Sequence, residues 1–380
     1  MQAVEAVCTA DDNLPGDVLD GVASLGDKSL LRVGTTPDGE PRFSMLETIR
    51  EYALELLCAS GEEARLRERH AHYYLGWLEA MQAQYRSGAV YRVPTGRSSR
   101  QQDEGVRCAR AELSNLTLTM EWITERGDLQ FAMRWWDVTE LFDSIDHLGW
   151  DLYAAWERWW HDLIGSRHRI PVQMQAKAVI RLGQFAYWDG DLPEAATLLE
   201  EGLALARTLD DPGLIAQALE WLGHAYREQD MYWRAARLYD EYMARAQASG
   251  ESFDIASAHH CLDELALLQE DYPRALAHAQ ASLALFRALG VKWGITCASI
   301  NQGFAALHLG NDELAAQCFP EALRVAQIYD DGSHIRGALA GFVAMAARGG
   351  TRDALHAARL LGAIAEGSMV YAHRRACERI

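Results

Sequence analysis

At 380 residues, with 49% hydrophobic and 24% charged side chains, the chain has the composition of a folded protein and the length for two or three ordinary domains or one elongated array. Its 54 acidic residues against 36 basic ones give a formal net charge of -18, a field that repels phosphate backbones and anionic membrane surfaces and argues against nucleic acid as a partner of this chain alone. Twelve Trp beside nine Pro point to helices with large aromatic contacts rather than to disorder.

The amino-terminal run MQAVEAVCTADDNLPGD lacks a basic segment followed by an apolar one. No uncharged apolar stretch approaches the ~18 residues of a membrane span, so a soluble, cytoplasmic protein is expected. The seven cysteines are scattered without a CxxC pair, the pattern of reduced and mostly buried thiols.

Residues 17–31, DVLDGVASLGDKSLL, place Val18, Leu19, Val22 and Leu25 on one helical face, and Asp27, Lys28 and Ser29 end that helix. LLRV and PRFSM flank TTPDGE, whose Pro-Asp-Gly marks a hairpin, and RFSMLETIREYALELL then breaks from strand into helix. Helix, hairpin, helix is the tail of a winged helix, so residues 1–60 are expected to form a winged-helix-like segment with a short β-hairpin. The same stretch holds GVASLGDKS, the nearest approach to a phosphate loop. An Asp stands before Lys28 where a phosphate would sit, and helical residues rather than a strand precede it, so a plain helix end accounts for every residue.

Residues 61–127 read as a helical connector, in which 83–105 lose apolar periodicity and are expected to form an exposed loop. Seven tryptophans stand at helical spacing between Trp122 and Trp160, with Phe131 and Trp135, and Trp156 and Trp160, four apart. Residues 128–170 are expected to be a Trp-rich helical pair, the first repeat-like unit, whose rings are packing material before they are a ligand cage.

From residue 171 to 380 a fixed period governs the chain. Aligning RLGQFA, WLGHAY and NQGFAA puts Gly183, Gly223 and Gly303 on a 40-residue register, with Asp263 in the remaining slot. Twelve positions later stand Ala195, Ala235, Ala275 and Ala315, each preceded four residues earlier by Asp191, Asp271 or Asn311, except that Met231 breaks the pattern. A glycine in one helix and an alanine in the next let antiparallel helices approach, and a polar turn stops the first. The expectation is an all-α chain dominated by a right-handed α-solenoid, with the first helix of each pair facing a concave groove.

These columns resemble the tetratricopeptide repeat, best in the second unit at Leu222, Gly223, Tyr226, Ala235 and Tyr239. The period here is 40 rather than about 34, with the added length in stretches such as TLDDPGLIA and ALGVKWGIT. A fifth, degenerate unit is expected to slip register near Gly349 and Gly350.

Nearly the whole chain resembles the carboxy-terminal part of bacterial STAND regulators, multidomain signal-transducing ATPases that include LuxR-type activators. The likeness rests on LGDKSLL from Leu25 to Leu31, RFSMLETIREYA from Arg42 to Ala53, RLRERHAHYY, ELSNL from Glu112 to Leu116, and RLLGAIAE near the end. The resemblance implies a winged-helix transmitter followed by a repeat sensor. The family's phosphate loop, acidic strand, sensor arginine and DNA-reading domain have no counterpart in this sequence. A non-enzymatic regulatory or scaffold protein is therefore expected, binding a protein, a peptide or a small effector. Two alternatives are the sensor half of a nucleotide-driven switch whose ATPase lies elsewhere, and a DNA-binding transcription factor acting through the winged helix.

In the repeat register the ligand-facing positions of successive first helices are Lys177, Gln184 and Trp188, then Gln217, Glu220, His224 and Arg227, then Ser257, His260 and Glu264. They compose a polar stripe suited to a peptide or small polar ligand. No metal or other cofactor is expected. His70 and His72 flank an alanine, and His259 with Asp263 or His260 with Glu264 would lie four apart on one helix face, a spacing that can hold a metal, but no HExxH or Cys/His cluster accompanies them. No GxSxG elbow occurs and the cysteines lack a diagnostic histidine, so no catalytic residue is assigned.

Overall fold

The computed structural model describes residues 2–8, 18–35, 41–85, 111–139, 170–328 and 332–348, together with Cys108, Glu157, Trp160, His161 and Gly165. The chain divides into two compact units, one of residues 1–87 and 104–159, the other of residues 88–103 and 160–380.

The first unit opens with helices α1 (Gln2–Cys8) and α2 (Val18–Asp27), strands β1 (Leu31–Thr35) and β2 (Pro41–Met45), and helix α3 (Glu47–Ser60). The strands pair antiparallel with Val33 opposite Phe43, so the helix–hairpin–helix order is present; the turn at 36–40 lies outside the described residues. Gly21 to Asp27 of the phosphate-loop look-alike are helical, and Ser29 turns the chain into β1 at φ 58°. Gly61, at φ 73°, ends α3 in the left-handed conformation that glycine adopts without steric penalty.

Helix α4 (Glu63–Tyr85) packs on α5 (Leu113–Arg126) and α6 (Leu129–Thr139). It buries Ala71, Tyr74, Leu75 and Leu78, a 3-4 spacing that puts one apolar stripe against its neighbours. His72 meets Phe131 edge-on at 5.0 Å, and Arg134 grips Glu79 through two nitrogens at 2.7 to 2.9 Å. Trp122 and Trp135 are buried, as packing tryptophans are. The loop expected from residue 83 starts later, because α4 continues to Tyr85; residues 86–105 and Trp150, Trp156 and Trp159 lie outside the described residues.

The second unit contains nine described helices: α7 (Val172–Trp188), α8 (Leu192–Leu209), α9 (Pro212–Glu228), α10 (Tyr232–Ser249), α11 (Ser252–Leu268), α12 (Tyr272–Leu289), α13 (Lys292–His308), α14 (Asp312–Ile328) and α15 (Gly332–Arg348). The first helices of the pairs begin at Val172, Pro212, Ser252, Lys292 and Gly332, 40 residues apart each time. The fold is a tetratricopeptide-like α-solenoid. Helix α15 keeps the register, while the slip near Gly349 and Gly350 and the segment RLLGAIAE lie outside the described residues.

The turn residues act differently from the sequence expectation. Asp191, Asp271 and Asn311 do not stop the first helices; their side chains accept the backbone N–H of Glu194, Arg274 and Leu314 and so cap the starts of α8, α12 and α14. The first helices end instead at left-handed residues, Gly190, Asp230, Glu270 and Gly310, with φ from 58° to 84°. Met231, which heads α10, offers no side-chain cap.

The glycine column marks a close approach of the two helices of a pair, with partners larger than alanine. Ala195, Ala235, Ala275 and Ala315 are fully buried, but they are not what the glycines face. A side chain at Gly183, Gly223 or Gly303 would collide with Leu199, Tyr239 or Phe319, each sixteen positions further on, in the second helix of the same pair. The core thus fits knobs of changing size into gaps left by glycine. Burying a Leu or Phe of this kind contributes ~1.5–3 kcal/mol.

Candidate functional site

Helices α11 and α13 are covered on every side, and α13 is buried without interruption from Thr296 to Leu307. Both carry polar groups into that interior. Arg227 of α9 donates through Nη1 to Glu264 of α11 and through Nη2 to Glu228 at 2.9 Å. His260 stands 3.7 Å from Glu264 and 3.5 Å from Asp263, and Asp263 accepts from Asn301 of α13 at 2.6 Å. Beside them Cys297 of α13 lies 2.8 Å from His334 of α15. One chain of polar side chains therefore crosses the first helices of four consecutive pairs.

Its electrostatics follow from burial and pairing. Burial disfavours the His260 imidazolium, but Glu264 and Asp263 outweigh it and hold its pKa well above the usual value. Burial lifts Asp263 to about 6, although His260 and Asn301 oppose the rise. Burial also raises the Cys297 thiol, yet His334 and His260 together bring its pKa below the usual value. His224 is pushed down to about 3 by burial first and Arg227 second, so its ring is neutral.

The ten residues placed on the ligand-facing stripe divide in two. Gln184, Arg227, Ser257, His260 and Glu264 are buried, whereas Lys177, Trp188, Gln217, Glu220 and His224 are half-buried. The expected neighbours do meet, Arg227 with Glu264 and His260 with Glu264, but in a seam between adjacent first helices rather than on an open groove. The reason is all-round packing, which closes α11 and α13 on sides that a single helical period cannot reveal. Of the histidine pairs weighed for metal, His259 bonds His278 at 2.9 Å, His70 meets Asn115 at 3.3 Å, and His72 packs on Phe131. Glu228, Cys297, Asn301 and His334 were not singled out from sequence. The register was the available signal, because Gln217, Ser257 and Cys297 share one column.

Among the described residues, one trio has ligand atoms close enough together to hold a metal ion: Glu220, His224 and Cys261, within 4.8 Å of one another.

A cleft of about 500 Å³ lies among α8, α9 and α10. Its lining includes Glu200, Tyr226, Trp233, Arg234 and Arg237. The Arg234 guanidinium rests 5.0 Å from the Tyr226 ring centre and 5.3 Å from that of Trp233, and Tyr226 donates its hydroxyl proton to Glu200. Trp233 is 63% exposed, unusual for so large an apolar ring.

No family model matches the chain. In sequence it is 28% identical over 233 residues, 59% of its length, to proteins of Mycobacterium tuberculosis and Mycobacterium bovis named "Putative HTH-type transcriptional regulator". The match covers 24% of those proteins, so the chain spans about a quarter of the curated relatives' length. In structure it is similar to a Rap protein complexed with competence and sporulation factor, at a TM-score of 0.52 and 10% identity, over 80% of this chain and 87% of that one. It is similar also to the apo form of RapI, at a TM-score of 0.52 and 11% identity, over 78% and 87%. These structural likenesses concern the fold alone. No described helix is long and apolar enough to cross a membrane.

Proposed function

We propose that the repeat array is the recognition arm of a cytosolic, non-catalytic regulator and binds a peptide segment of a protein partner in the α8–α10 cleft. The observation that carries this reading is Trp233, held in solvent under Arg234 at the mouth of the cleft. An exposed tryptophan adds little to the fold, whereas Trp, Tyr and Arg are the residues that concentrate binding energy at interfaces. Arg234 and Arg237 select a segment that carries a carboxylate beside an apolar side chain. The regulator names of the relatives and the factor bound by the Rap protein support the reading. Half-buried Lys177, Trp188, Gln217, Glu220 and His224 are a second surface for a small effector. To test the cleft, the immobilised chain and its Trp233→Ala/Arg237→Glu variant are exposed to extract of the organism that encodes it, and a segment of the retained partner is titrated. A partner that the variant loses, and whose segment competes, supports the reading; equal retention overturns it.

A second reading, the sensor half of a larger switch, is favoured by the first unit. Helix α3 buries no residue, and its Tyr52 and Leu56, four apart on one helix face, are 62% and 54% exposed, apolar side chains suited to contact with another domain. Nucleotide binding by this chain alone would contradict it, because the nucleotide would then be held here and not in that other domain.

A further inference from the structure

Glu220 and His224 stand four apart on α9, hence on one helix face, and Cys261 reaches them from α11. Their ligand atoms lie within 4.8 Å of one another, close enough that small side-chain rotations bring all three onto one ion. The donor set is one carboxylate oxygen, one imidazole nitrogen and one sulfur, the mixture that tetrahedral zinc accepts. A ligating histidine holds its second ring nitrogen in a hydrogen bond, and Nδ1 of His224 already sits 2.9 Å from the Tyr239 hydroxyl, which leaves Nε2 for a metal. The rings of Trp221 and Tyr187, centred 5.4 and 6.2 Å from that of His224, wall the imidazole on other sides. The nearby Arg227 is neutralised by Glu264 and Glu228, so its charge does not stand alone against a cation. Glu220 and His224 are half-buried, so an ion can enter, and Cys261 is buried, so the bond it makes is shielded from competing water.

We infer that Glu220, His224 and Cys261 form a binding site for a zinc-class divalent ion, with three protein ligands and a fourth position open to water or an exogenous donor. A bound ion ties α9 to α11 and so fixes one repeat against the next. On binding, the Cys261 thiol gives its proton to solvent and the thiolate takes the metal. The inference does not depend on the peptide cleft, since the metal is measured on the chain by itself.

Chelator-stripped protein is titrated with Co²⁺ and the thiolate-to-cobalt charge-transfer band is followed, then displaced with Zn²⁺. One equivalent per chain is expected, with the band abolished in Cys261→Ser and kept in Cys297→Ser. Glu220→Gln keeps the size and shape of a half-buried side chain on α9 and is expected to fold, as its helical signal checks, so it decides the matter even where Cys261→Ser does not fold; it is expected to weaken binding. Tyr239→Phe is expected to weaken it by about 10- to 100-fold. Absence of the band from the wild-type chain, its survival in Cys261→Ser, its loss in Cys297→Ser, or unchanged affinity in Glu220→Gln would overturn the site.

Discussion

Gly223 of α9 lies directly beneath the aromatic ring of Tyr239 on α10. The ring is fully buried and its hydroxyl is anchored to His224, so it has nowhere to swing. Gly223→Ala gains up to ~1 kcal/mol of helix propensity but forces overpacking worth ~1–3 kcal/mol, so net destabilisation is expected. Urea unfolding of Gly223→Ala beside an exposed control such as Gly213→Ala measures it; a midpoint at or above wild type would refute the packing argument.

Among the first four units, the one without this glycine has Asp263 in its place, and the position sixteen residues on holds Ala279 rather than a large side chain; both are fully buried. Size is thus exchanged between the two positions. Ala279→Leu in the wild-type background is expected to destabilise, and less so combined with Asp263→Gly, though the double variant also loses the bond to Asn301. A double-mutant cycle reads the coupling, of order 0.5–3 kcal/mol for residues in contact.

Met231 occupies the cap position of α10 with the backbone angles that Asp191 and Asp271 adopt at theirs, φ -85° against -81° and -84°. Met231→Asp should therefore stabilise the array, by about 0.5–2 kcal/mol. A higher thermal midpoint with an unchanged helical signal checks it.

Arg227 and Glu264 are buried partners, and removing one strands the other's charge. Arg227→Met is expected to cost about 3–5 kcal/mol, and Arg227→Met/Glu264→Leu clearly less than the sum of the two single changes. Strict additivity in chemical denaturation would show that the pair does not act as one.

His278, hydrogen-bonded to His259, is depressed to about 4 by burial, then by His259 and Arg274. A ring neutral in the fold and charged in the unfolded chain draws protons to the unfolded state. Stability is full above the unfolded value of 6.5 and is lost as the pH falls toward about 4. Urea midpoints across that interval should decline, and His278→Gln should flatten the decline.

Most of the array could be read from sequence because its period is strict. The columns through Gly183, Gly223 and Gly303 and through Ala195, Ala235, Ala275 and Ala315 are set by how closely two helices approach, a constraint on residue size that sequence displays directly. The direction in which a helix is covered is not displayed. IASAHHCLDELALL of α11 has polar residues on every face, and only the neighbours α9 and α13 decide that Ser257, His260 and Glu264 are interior. Trp233, Arg234 and Arg237 belong to a second helix, off the columns that define the repeat, and the Glu220, His224 and Cys261 group is split between two repeats. What sequence concealed in each case is a contact between units, not a property of one.

The alternation of glycine with leucine, tyrosine or phenylalanine, reversed once at Asp263 and Ala279, also bears on how the chain finds its partners while folding. Arrays of near-identical hairpins misassemble when a helix docks on a neighbour's mate one unit away. A first helix carrying Asp263 has no hollow for Phe319 or Tyr239, and one carrying Gly303 gains little from Ala279. The varied sizes act as a sequence of keys, so that a docking shifted by one repeat meets a clash or a void and comes apart before the native pairing does.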